Sequence, residues 1–153
     1  MFIGTIPDEA RLLECPIAFE AEIIPLCEAE GISQIVWSPL AQGLLTGKYK
    51  PGQAPASATR AASRNMGAFF REAWLERRTL EAVQRLEPLA AAAGLTMAQF
   101  ALAWVLRLDN VAAAIVGASR PEQIEDNAGA SGHQVDPSLF REAERTLSAV
   151  AAY

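Results

Sequence analysis

The stretch Ile115-Val-Gly-Ala-Ser-Arg-Pro-Glu-Gln-Ile-Glu-Asp-Asn127 decides how the rest of the chain is read. The apolar run Val111-Ala-Ala-Ala-Ile-Val116 leads into it and predicts a short buried strand that stops at Gly117. A helix follows at once: Ser119 and Glu122 have capping-box spacing, and Pro121 suits a first helical turn. A strand running straight into a helix N-terminus leaves backbone N–H groups aimed at one spot, which suits a phosphate. Arg120 adds a fixed positive charge with forked donor geometry at that spot. Gln123 lies one turn further on and Asn127 one turn beyond, on the same helical face. An ordinary capped helix after an ordinary strand has the same features, and spacing alone favours that plainer reading.

The 153 residues suffice for one domain with a real core. With 51% of residues apolar and 20% charged, the composition is that of a soluble globular protein. A net charge of −5 argues against a broad nucleic-acid surface. No window approaches the ~20 apolar residues of a membrane span. Met1-Phe-Ile-Gly-Thr-Ile-Pro-Asp8 lacks the pattern of a secretory signal, and Cys15 and Cys27 form no CxxC pair. Thiols in a reducing cytosol are the expectation, so the predicted location is cytoplasmic. The single histidine, His133, excludes a multi-histidine metal site within this chain and reads as a surface loop residue.

Taken in order, Phe2 to Ile6 predicts a short strand closed by Pro7, and Ala18 to Glu30 a helix stopped by Gly31. Pro25 marks a kink in that helix or a later start. Ile32-Ser-Gln-Ile-Val-Trp37 predicts a strand, and Ser38 to Phe70 a long loop rich in Gly and Pro. Glu72 to Ala93 predicts a long helix interrupted at Pro88 and stopped by Gly94. Thr96 and Gln99 form a second capping box before a helix from Met97 to Arg107, on which Phe100 and Trp104 pack. Asp136-Pro137 opens a last helix to about Ala151, with Leu139, Ala143 and Leu147 along one face. Strands alternating with helices imply an α/β architecture of parallel βα units. Only about three strands are available, so two sheet edges stay open, and self-association through them is expected.

Three stretches together resemble one family. Trp37-Ser-Pro-Leu-Ala-Gln-Gly-Leu-Leu-Thr-Gly-Lys-Tyr49 is similar to the segment after the seventh barrel strand of aldo/keto reductases, nearest the branch of potassium-channel β-subunit-like reductases. Gly117 to Asn127 resembles that family's segment after strand eight, and Gly94 to Arg107 matches the stretch between. The resemblance covers roughly Glu20 to Val150, in the family's order and spacing.

The resemblance implies the C-terminal portion of a (β/α)8 barrel, strands six to eight with their helices, as one partial domain over residues 1–153. It implies NADPH as cofactor. Trp37, Ser38, Pro39, Leu40, Ala41 and Gln42 would run beside the nicotinamide ribose and pyrophosphate. Lys48 and Arg60 would hold the phosphates from a loop folded over the cofactor. Gly117 would allow close backbone approach, with Ser119 and Arg120 on the 2′-phosphate and Gln123 and Asn127 at the adenosine end. At Asp126 the family usually has Glu, whose carboxylate meets the adenine amino group; Asp is one methylene shorter. The family's chemistry is hydride transfer to a carbonyl, with Tyr, Lys, Asp and His residues from the first half of the barrel. Tyr49, Tyr153 and His133 do not match those positions, and Ile6-Pro7-Asp8-Glu9 departs from the family's Gln-Pro-x-Tyr after strand six. A full barrel takes ~250 residues. The expectation is therefore an NADPH-dependent aldo/keto reductase represented by its cofactor-binding part, with no catalytic residue of its own. A carbonyl substrate is expected only if the other half is supplied. A non-catalytic NADPH-binding or interaction module, or a truncated remnant, is the alternative. A helix-turn-helix reading of Leu89 to Gln99 fails, because the second helix offers Phe100, Ala101, Leu102 and Trp104 rather than basic side chains to a groove.

Overall fold

The computed structural model describes residues 22–57, 59–63 and 72–150. The predicted strand Phe2–Ile6, the first part of the predicted helix Ala18–Glu30 and part of the long loop lie outside them. Among the described residues the order is α1 (Ile24–Ala29), β1 (Gln34–Trp37), 3-10 segments at Ala41–Thr46, Arg60–Ala62 and Glu72–Leu75, α2 (Arg77–Gln84), α3 (Glu87–Ala92), α4 (Met97–Val105), β2 (Val111–Ile115), α5 (Pro121–Ala128) and α6 (Pro137–Ser148).

Local chemistry explains most boundaries. Pro25 sits in the first turn of α1, which a π-helical turn at Glu22 and Ile23 precedes, so the break in regular α-helix falls at the proline. Gly31, at φ +66°, ends α1 in the left-handed conformation. The helix predicted from Glu72 to Ala93 is instead three pieces. Pro88 lies in the first turn of α3, and its ring would collide with the carbonyl four residues back, at Gln84, where α2 ends. The capping box of α4 forms: Gln99 N donates to Thr96 Oγ1 at 3.2 Å and Thr96 N to Gln99 Oε1 at 3.0 Å. That helix ends at Val105, two residues short of Arg107. Asp136 caps α6 by accepting from Ser138 N at 2.8 Å, and that bond holds its carboxyl below the usual 3.8.

β1 and β2 pair in parallel, with Gln34 opposite Val111, Ile35 opposite Ala113, Val36 opposite Ala114 and Trp37 opposite Ile115. The register shift after Gln34 leaves Ala112 as an extra residue in β2. The expectation of a buried second strand is corrected here. Val111 is buried, but Ala112 and Ala113 are exposed and Ile115 is 60% exposed. An apolar strand is buried only where layers cover both faces, and α4 supplies one of them.

Among the described residues two clusters form the core. Ala41, Leu44, Tyr49, Trp74, Leu80 and Val83 seat the segment after β1. Leu86, Ala90, Phe100, Ala103, Phe140 and Ala143 join α3, α4 and α6, with the rings of Phe100 and Phe140 5.2 Å apart. Leu45, Met97 and Leu147 touch both. Trp104 Nε1 donates to Glu144 Oε1 at 2.7 Å, and the Arg107 guanidinium stacks 4.0 Å from the Trp104 ring, pinning α4 to α6. Among the described residues no single helix is long and apolar enough to cross a membrane.

Candidate functional site

Parallel pairing brings the C-terminal ends of β1 and β2 together, so the segments leaving Trp37 and Ile115 form two lips of one mouth. The lip after β1 has an unusual backbone. Ser38, Ala41 and Gln42 all have positive φ (55°, 45° and 54°), and Gly43 follows at 91°. A left-handed residue with a Cβ costs roughly 1–2 kcal/mol, and such residues cluster where the surrounding structure over-determines them. Here the determinants are Leu44, fully buried in the core, and short-range bonds: Ala41 N to Ser38 O at 3.0 Å and Gly43 N to Leu40 O at 2.9 Å. Pro39 is buried within this lip, and Leu40 is half-buried.

Two cations meet at this lip. Gln42 Nε2 donates to Ser38 Oγ at 3.1 Å, and Gln42 Oε1 accepts from Arg60 Nη1. The other guanidinium nitrogen of Arg60 reaches the second lip, where a Cβ on Gly117 would come within 3.0 Å of it. The Lys48 ammonium turns inward although the residue as a whole is exposed: it lies 5.3 Å from the centre of the Tyr49 ring, and a Cβ on Gly43 would stand 2.5 Å from it. Burial, and then the charge of Arg60, lower the Lys48 pKa from its ordinary 10.5. The ion pairs among the described residues are Arg77–Glu81, Arg78–Glu76, Arg107–Glu144 and Arg145–Glu142, none involving Lys48 or Arg60. Two cations near each other with no carboxylate partner among the described residues, beside glycine backbone, fit an anionic group such as a pyrophosphate.

The lip after β2 differs from expectation. Arg120, at the N-cap of α5, has an extended backbone and an exposed side chain that neither caps the helix nor pairs with a carboxylate among the described residues. The Ser119–Glu122 capping box does not form, because α5 starts one residue later than that box requires. Instead Gln123 folds back, its Oε1 accepting from Ser119 N at 2.8 Å and Ser119 Oγ at 3.2 Å. Asp126 faces α4: its Oδ2 accepts from Thr96 Oγ1 at 3.4 Å, and its backbone oxygen from Gln99 Nε2 at 2.8 Å. Asn127 is half-buried on α5, and Trp37 half-buried at the end of β1.

The structure thus joins Ser38, Gln42, Lys48, Arg60 and Gly117 in one cluster, and Ser119 and Gln123 in another, while Asp126 turns to Thr96. Sequence reading missed Gly43, whose bare Cα makes room for Lys48; the Gln42-Gly43 pair inside a loop was the available signal. His133 lies in an exposed loop, its Nε2 3.2 Å from Ala93 O.

Residues 14–147 match the model of the aldo/keto reductase family. A probable voltage-gated potassium channel subunit beta from Arabidopsis thaliana is 41% identical over 71% of this chain and 32% of its own length. An NADH-specific methylglyoxal reductase from Escherichia coli is 36% identical over 85% of this chain and 39% of its own. Among solved structures, a glycerol dehydrogenase from Gluconobacter oxydans superposes with a TM-score of 0.67 at 23% identity, over 86% of this chain and 39% of that one, which shows a shared fold. The chain spans no more than two fifths of the length of these relatives. By the match of the family model over most of its length, the chain belongs to the aldo/keto reductase family.

Proposed function

We propose that these residues form the NADPH-holding C-terminal part of an aldo/keto reductase barrel, strands six to eight with their helices, and that the whole protein reduces an aldehyde or ketone. The observation that carries the cofactor reading is the Lys48–Arg60 pair, two cations with no carboxylate partner among the described residues, at the mouth between two parallel strand ends. Ser38 and Gln42 line the same mouth, and Arg120 stands exposed beyond it with its fork free of any ion pair among the described residues. A guanidinium fork is rewarded by a dianionic phosphate, so Arg120 favours NADPH over NADH. The bound cofactor supplies a hydride; this part of the chain binds and orients its phosphates. Turnover is not expected of these residues alone. The Tyr49 hydroxyl is engaged by Ala61 N at 3.4 Å, inside the loop rather than at a reacting centre.

The test is an NADPH titration of the purified chain followed by tryptophan fluorescence, with NADH as comparison, since one relative's name specifies NADH. Trp37, at the end of β1, is positioned to report. Saturable binding that favours NADPH is expected. Arg120→Ala then weakens NADPH by roughly tenfold or more and NADH far less. Equal losses would overturn the assignment of the 2′-phosphate, and no binding at millimolar cofactor would overturn the cofactor reading itself.

A further inference from the structure

We propose that Gln42 is a positioning residue: its side-chain amide, tied to Ser38, holds the Arg60 guanidinium across the mouth and keeps the anion site assembled before any anion arrives. The consequence for binding rests on the cofactor reading above; the geometry does not. Arg60 sits in a short 3-10 turn that contains no buried residue and meets the core through Ala61 alone among its three residues, so the long side chain itself is not held by packing. Lys48 carries a like charge close enough for the two to repel. A long flexible cation under repulsion needs a partner to stay.

Gln42 is that partner. It is only 6% exposed, and its amide can be oriented in one way alone. Arginine has donors only, so Gln42 Oε1 must face the guanidinium, which leaves Nε2 to donate to Ser38 Oγ, as it does at 3.1 Å. The backbone argues the same way. At φ +54° a glycine would sit with less strain, so the side chain offsets that strain by what it holds. The amide is neutral, and so it fixes Arg60 without cancelling its charge, as a carboxylate would.

The chain has two lysines, Lys48 and Lys50, so NMR of 13C-labelled lysine resolves the titration of Lys48. Gln42→Gly and Gln42→Asn both suit a left-handed backbone and keep the fold. Each is expected to raise the pH at which Lys48 titrates, because Arg60 swings away. With Arg60→Met already in place, Gln42→Gly should add no further rise. An unchanged titration overturns the proposal. So does an equal rise in the Arg60→Met background, which would make the amide a mere shield of Lys48 from water. The same variants are expected to weaken NADPH and inorganic pyrophosphate roughly tenfold. If the titration moves and both affinities hold, the hold on Arg60 stands and the pyrophosphate role of the cation pair falls.

Discussion

An ammonium group pressed against Gly43 and facing a guanidinium gives up its proton more readily than one in water. In the free protein the Lys48 pKa lies below 10.5, so between the two values the unfolded chain binds the proton more tightly, and the contribution of Lys48 to stability rises with pH. On the cofactor reading proposed above, a bound pyrophosphate would reverse the shift by supplying a counter-charge. Affinity for NADPH is then expected to be full below the free-state pKa of Lys48 and to fall as pH rises through it. Dissociation constants measured from neutral pH to about 10 should show this decline in the parent chain and a flatter profile in Lys48→Met; identical profiles would refute the assignment. Lys48 and Arg60 were legible only through the pattern of a family, since a loop cation carries no local signature. The left-handed Ser38, Ala41 and Gln42 were not legible at all: residues with a Cβ ordinarily avoid that region, and the buried Leu44 with the short-range backbone bonds around it fixes it.

At the scale of the element, what could be read was what is decided within a few residues. The capping box of α4 and the aspartate cap of α6 are contacts between near neighbours, and both stand as expected. Thr96→Ala should cost about 1 kcal/mol, seen as a lower denaturant midpoint with an unchanged slope. Thr96 also donates to Asp126 on α5, so the same variant loosens the seat of that helix. The cap of α5 differs from expectation because the helix begins at Pro121, one residue later than the Ser119–Glu122 box requires, and Gln123 rather than Glu122 then reaches back to Ser119. The burial of β2 was misread for a different reason. Apolar composition reports what a strand would bury, whereas burial itself depends on a second layer that no local pattern encodes.

At the scale of the molecule, the described residues hold a two-stranded parallel sheet with helices around it, and β2 leaves Ile115 exposed while α5 leaves Ile124 62% exposed. Unpaired strand edges next to exposed apolar side chains favour pairing with another copy. We expect the purified chain to sediment as concentration-dependent oligomers; a single monomeric species across a wide concentration range would refute that. The parallel ladder has one more consequence. Each lip takes its shape from nearby sequence, but the gap between them is set by rungs joining residue 34 to 111 and residue 37 to 115. Closing so long a loop costs entropy before any rung repays it, and pairings between distant residues come late when a chain folds. The mouth is thus expected to close late in folding, and a ligand bridging its two lips would grip the fold at a seam joined late.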